Sequence, residues 1–319
     1  MFDDYKIFRN FVYKPIENIM KRSSFLKVAA SSLLAVGTNG LMAKNIKINQ
    51  ESERGLKVRF LGTGAADWNG RDERGELRRL SSVLLDDRLI IDLTASSMDM
   101  IPQYAHPSTI FYTHSHGDHY HPATALKVGI KDVYVGVTWY DIAVSDFKRA
   151  AKELQLPMPQ IHPLYIGQPI KIGDIVVTPL PANHVTGYIN EQPLIYLIEK
   201  AGVRLLYATD TAGITAAAAK LSGLDVHNAG KPVTAIIMEA TMGLDYDLDS
   251  RRFTHSSVGD IERMVKMVET TKRYAPPAGQ PVYLTHMARK LHGTQAELDA
   301  TLPKPLCAAY DGLEVVFKA

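Results

Sequence analysis

Along most of the chain, apolar residues come in short, β-branched runs bounded by Gly, Pro, Asn or Asp, the pattern of buried strands. Such runs lie at 56–61, 81–85, 89–93, 108–112, 133–137, 175–179, 194–199, 203–208, 234–238, 281–285 and 313–317. The pair 194–199 and 203–208 brackets Ala201-Gly202 and reads as a hairpin. Helical periodicity is scarcer. Phe147, Ala150, Ala151 and Leu154 share one face of a helix expected over 145–156. Ser257 and Asp260 read as a capping box for a helix to about Tyr274, with Ile261, Met264, Val265 and Val268 inward. Thr294 and Glu297 cap a last short helix. Strands dominate and no Pro/Gly/Ser-rich linker divides the body, which predicts one domain over 56–319.

The run at 108–112 leads into THSHGDHYH, residues 113–121. His114, His116, Asp118 and His119 fall within six residues there, although the whole chain has eleven His. Alternate residues of an extended chain point the same way, so His114 and His116 can face one metal. A turn at Gly117 swings Asp118 and His119 towards a second point. Imidazole and carboxylate donors suit zinc, manganese or iron and need no thiolate. Further candidates come after other apolar runs: His184 after 175–179, Asp210 after 203–208 and His286 after 281–285. Strand ends gathered at one sheet edge are where open sheets collect function. His121, just past the motif, reads as a supporting or exposed residue.

Composition bounds the alternatives. With 319 residues, 46% hydrophobic and 22% charged, the chain can bury a large core. The single Cys, Cys307, excludes an intramolecular disulfide and a cysteine metal cluster, and sits in a strand-like run at 306–309. Residues 20–43 read as a secretory signal peptide: Lys21, Arg22 and Lys27, then an apolar stretch, then a small-residue cleavage site at Ala43. The apolar stretch is too short to span a membrane. KRSSFLK resembles a degraded twin-arginine export signal, and Met20 is a candidate start. Residues 1–43 thus form an N-terminal extension and leader, and 44–55 a polar, flexible lead-in. The leader carries six of the 36 basic and three of the 34 acidic residues, which leaves 36 − 6 = 30 basic and 34 − 3 = 31 acidic. A near-neutral body argues against a large nucleic-acid partner. The charged loop 67–79 reads as a solvated face that could reach over a site.

The order H-x-H-x-D-H, then His, Asp and His, resembles the two-metal members of the metallo-β-lactamase superfamily over nearly the whole of 56–317. The resemblance implies a four-layer αββα sandwich with the metals at one sheet edge. It implies that His114, His116 and His184 hold one metal, that Asp118, His119 and His286 hold the other, and that Asp210 bridges them. Zinc is expected first, with manganese or iron able to replace it. Met238-Glu-Ala-Thr241 and Thr254-His-Ser-Ser257 resemble segments of the ribonuclease Z branch, as do Phe60–Gly64, Arg79–Ser82 and Leu284–His286. There the His protonates the leaving oxygen and the Glu orients it, which assigns those roles to His255 and Glu239. Asp118 would orient the attacking water or accept its proton. Only 25 residues separate His184 from Asp210, too few for the arm that grips transfer RNA. A small phosphodiester is therefore the expected substrate, with the phosphoribosyl cyclic phosphodiesterase of phosphonate metabolism and the cyclic-nucleotide enzymes as the nearest models. Arg289, Lys290 and His292 are candidate contacts for its phosphate or base. The expectation is an exported, periplasmic or secreted metallo-phosphodiesterase. The alternatives are a carboxyl-ester, lactone or thioester hydrolase with the same ligands, and a non-catalytic metal-binding scaffold. Oligomeric state is left open, a homodimer included.

Overall fold

Each of the apolar runs forms a strand. The computed structural model describes residues 55–227, 230–246 and 248–319. The leader, and all of the lead-in but its last residue, lie outside the described residues. In chain order the strands are β1 (Leu56–Gly62), β2 (Ser82–Leu85), β3 (Leu89–Ile91), β4 (Thr109–Phe111), β5 (Asp132–Gly136), β6 (Gln160–Leu164), β7 (Ile170–Ile172), β8 (Ile175–Pro181), β9 (Leu194–Lys200), β10 (Val203–Ala208), β11 (Ala235–Glu239), β12 (Val282–Thr285), β13 (Leu306–Ala308) and β14 (Glu314–Phe317). They build two seven-stranded sheets, ordered β14-β1-β2-β3-β4-β5-β6 and β13-β12-β11-β10-β9-β8-β7. Strands β3 to β6 run parallel in the first sheet, and β10 to β13 run parallel in the second.

The inner faces of the sheets share one core, with Phe60, Phe111, Tyr196, Tyr207 and Phe317 among its buried residues. Helices cover the outer faces, because strands buried on both sides must be shielded from water on both. On the first sheet, α1 (Pro122–Val128) and α2 (Tyr140–Leu154) bury Ala125, Phe147 and Ala151. On the second, α3 (Ala216–Ser222), α4 (Val258–Thr270) and α5 (Gln295–Thr301) contribute Ala218, Ile261, Val265, Val268 and Leu298. This is an αββα sandwich. Among the described residues, no helix is long and apolar enough to cross a membrane.

Both expected capping boxes are present, Ser257 with Asp260 and Thr294 with Glu297. Two helix boundaries differ from the periodic reading. Helix α2 starts at Tyr140, out of a preceding 3-10 turn, and ends at a left-handed Gln155. Helix α4 stops at Thr270, because Lys272 turns left-handed and Tyr274 bridges to Val233. Strands β6 and β7 and helices α1 and α3 were not expected. Each is short, and edge strand β6 contains Pro163, which breaks the apolar pattern.

Phe147 of α2 is fully buried, with its ring 6.4 Å from that of Tyr112 and 6.0 Å from that of Tyr120. These tyrosines flank the 113–119 turn. Phe147→Ala is expected to cost about 3–5 kcal/mol, measured by urea unfolding. A loss below about 1 kcal/mol would mean that the helix does not brace this turn.

Candidate metal centre

Parallel strands end together, so one edge of the sandwich gathers the residues at and just past the ends of β3, β4, β10, β11 and β12. After β3 comes Asp92, after β4 His114, after β10 Asp210 and after β12 His286, while Glu239 is the last residue of β11. His184 comes a few residues after antiparallel β8. Asp92, Asp210 and His286 take φ of 56°, 49° and 51°, a left-handed conformation that non-glycine residues seldom adopt. Three such residues at one edge mark strain held by surrounding structure, which is common where side chains must be aimed.

The seven donors converge. Nε2 of His114 lies 3.0 Å from Nδ1 of His116, and Nε2 of His184 lies 3.2 Å from that same atom. Beside them, Nε2 of His119 lies 3.3 Å from Nε2 of His286, and Asp118 Oδ2 is 3.2 Å and 3.3 Å from those two atoms. Asp210 sits between the groups. Its Oδ2 is 2.9 Å from His119 Nε2 and 3.2 Å from His286 Nε2, and its Oδ1 is 3.7 Å from His184 Nε2.

Four of the imidazoles have their outward nitrogen fixed. His114 Nδ1 donates to Thr113 Oγ1 at 2.9 Å, and His119 Nδ1 to Asp92 Oδ2 at 2.8 Å. His184 Nδ1 donates to the Thr254 carbonyl at 3.0 Å, and His286 Nδ1 to Thr241 Oγ1 at 3.0 Å. A neutral imidazole has one N–H, so in that form each Nε2 presents a lone pair to the centre, as a metal ligand must. Lone pairs facing each other at these distances repel unless a cation lies between them. Burial disfavours protonation of His114. The donor set, five imidazoles and two carboxylates without a thiolate, therefore fits divalent cations.

Asp92 is the residue that the sequence reading missed. Its fully buried carboxylate accepts from Thr113 N and Thr113 Oγ1, both at 2.8 Å, as well as from His119. It lies inside the expected run 89–93, just past the end of β3 at Ile91. Thr241 is a second omission, and its hydroxyl ties His286 to Glu239.

Glu239 is fully buried and accepts from Thr211 N at 2.7 Å and from His255 Nδ1 at 3.1 Å. Burial opposes a charge on His255, but Glu239 outweighs it by charge and hydrogen bond, and Asp210 and Asp118 add to this, so its pKa rises to about 9. The His255 ring lies 4.8 Å from that of His184 and stacks at 5.7 Å on that of His286. His255 also falls within metal-binding reach of His184 and Asp210. Its Nδ1, however, is already taken by Glu239.

The three candidate substrate contacts are placed differently. The backbone N–H of Arg289 bonds Asp67, and its guanidinium bonds Asn69 Oδ1 at 2.6 Å and the Arg71 carbonyl. His292 donates to the Ala240 carbonyl at 2.6 Å, and burial pushes its pKa down to about 4. Lys290 is exposed. Arg289 thus fastens the charged loop 67–79, which Trp68 also anchors by donating to the Met287 carbonyl at 2.7 Å. His121 is exposed and bonds Thr124 at the start of α1.

The family model of the Beta-lactamase superfamily domain matches residues 93–287, a segment that contains all seven donors. The chain belongs to the metallo-β-lactamase superfamily. This is a superfamily of metal-dependent hydrolases, and the two-sheet architecture agrees with its sandwich. The fold is similar to that of the short form of human tRNase Z, with TM-score 0.59 at 16% identity over 82% of this chain and 100% of that one. It is similar to the metallo-beta-lactamase fold protein YhfI from Bacillus subtilis, with TM-score 0.56 at 15% identity over 82% and 99%. It also resembles Zn(2+)-bound PqqB from Methylobacterium extorquens, with TM-score 0.54 at 17% identity over 81% and 99%. Comparison with curated proteins finds no match.

Asp92 orients His119 from behind, as partners outside the ligand set do in metal sites. Asp92→Asn is expected to weaken metal binding on the order of 10–100-fold, read by competition with a chelating dye. Unchanged affinity would show that Asp92 has no hold on the metal centre.

Proposed function

We propose that this protein is an exported two-metal phosphodiesterase acting on a small, linear or cyclic, phosphodiester. His114, His116 and His184 would hold one ion and Asp118, His119 and His286 the other, with the two oxygens of Asp210 turned to either side. Zinc is the first choice for this donor set, in keeping with the zinc bound by the similar PqqB, and manganese or iron would also fit. When bound, the ions supply Lewis acidity toward phosphoryl oxygens and lower the pKa of water to ~7.

The observation that carries the reading is the Glu239–His255 pair. A buried carboxylate, itself held by Thr211 and Thr241, fixes His255 by Nδ1 and so leaves Nε2–H free of that bond. A phosphodiester expels a basic alkoxide, which leaves slowly unless a proton reaches it during bond breaking. In this reading His255 would give that proton, and Glu239 would stabilise the imidazole that carries it. Asp118 would orient the attacking water. Carboxyl esters with good leaving groups would not require the pair. The leader-like segment 20–43 supports export.

Two variants test the assignment. His255→Ala should slow hydrolysis of a cyclic nucleotide on the order of 10²–10⁴-fold with metal content unchanged. It should slow bis-p-nitrophenyl phosphate far less, because nitrophenolate leaves without protonation. Equal losses on both substrates, or none, would remove His255 as the acid. Glu239→Gln should show the same pattern with a smaller loss.

A further inference from the structure

Both chain neighbours of His114 are held by carboxylates in the same way. Thr113 gives its N–H and its hydroxyl to the two oxygens of Asp92, each at 2.8 Å. Ser115 gives its N–H to Oε1 of Glu191 at 2.8 Å and its hydroxyl to Oε2 at 2.5 Å. Hydrogen bonds to a carboxylate are short and roughly twice as strong as neutral ones, and a two-point contact fixes direction as well as distance. Ser115 stands between His114 and His116, whose facing ring nitrogens are 3.0 Å apart. A rotation of this segment would therefore displace both imidazoles.

Glu191 comes from the loop between β8 and β9, which also carries His184. That loop is fastened at its start next to Asp210. Asn183 N–H donates to Thr211 Oγ1 at 3.0 Å, and Ala212 N–H donates to the Asn183 carbonyl at 2.9 Å. At its end, Leu194 N–H donates to the Thr113 carbonyl at 2.9 Å. The backbone that delivers the carboxylate is also held: Glu191 N–H donates to the Tyr188 carbonyl at 3.0 Å, and Gln192 N–H to Thr138 Oγ1 at 2.9 Å. One loop thus supplies His184 and bonds the neighbours of His114, His116 and Asp210, the other residues assigned to the first ion. Among the described residues, Glu191 has no hydrogen bond to Asp118, His119 or His286.

We propose that Glu191 is a positioning residue for the first metal ion, holding the His114–His116 segment in place against His184 through Ser115. The inference rests on the two-metal reading given above.

Zinc binding to the full chain, measured by competition with a chelating dye and resolved into its two steps, tests this without turnover. Glu191→Gln keeps the side-chain length but sets an NH2 group against one of the two Ser115 donors. It should weaken the step that His116→Ala abolishes on the order of ten-fold and leave the other step unchanged. Ser115→Ala removes only the hydroxyl donor and should weaken the same step by less. In the double variant the loss should fall short of the product of the single losses, because both changes act on one contact. Unchanged affinity in both single variants, equal loss at both steps, loss confined to the other step, or losses that multiply in the double variant each overturn the inference. Wild type that binds fewer than two ions removes the two-metal reading and this inference with it. Wild type that binds two, with both single variants unchanged, removes only the role of Glu191.

Discussion

Five imidazoles converge at one edge of this sandwich, and the surrounding architecture keeps them there. Thr113, Asp92, Thr254 and Thr241 each take the outward N–H of one histidine, which fixes which nitrogen faces inward. Such an arrangement is unfavourable without a cation and favourable with one. Metal binding and the stability of this edge are therefore linked, as they are wherever a ligand binds only the folded state.

The topology explains how residues far apart in sequence reach this point. Parallel strands from both sheets end at the same edge, and the residues after β3, β10 and β12 turn left-handed to aim their side chains inward. Glu239 ends fully buried β11 and reaches both Thr211, just past Asp210, and His255, just before α4. One carboxylate thus joins the Asp210 turn to the segment that carries His255. The capping box of Ser257, two residues after His255, fixes the start of α4, so the helix sets where that imidazole stands.

Much of this was legible in the sequence. The apolar runs marked the strands because strands buried on both faces have no polar alternation to obscure them. Candidate donors stood out because each came after such a run. The residues that escaped notice did so for physical reasons. Asp92 lay inside the expected run 89–93, because apolar Leu93 beyond it carried the pattern past the end of the strand at Ile91. Thr241 and Thr254 act through one hydroxyl and one carbonyl, which no residue pattern announces. Arg289 and His292 looked available for substrate because they are polar and come soon after His286. The fold uses Arg289 to hold loop 67–79 and turns His292 onto Ala240, contacts of long sequence separation that spacing cannot show.

The edge is proposed to hold two divalent ions that hydrolyse a phosphodiester. Elemental analysis of the purified protein, paired with turnover of bis-p-nitrophenyl phosphate and phenyl acetate before and after chelation, tests it most directly. The account predicts two divalent ions per chain, with phosphodiester turnover dominant, lost on chelation and restored by metal. Protein without stoichiometric metal, or metal-loaded protein that cleaves only the carboxyl ester, would contradict it.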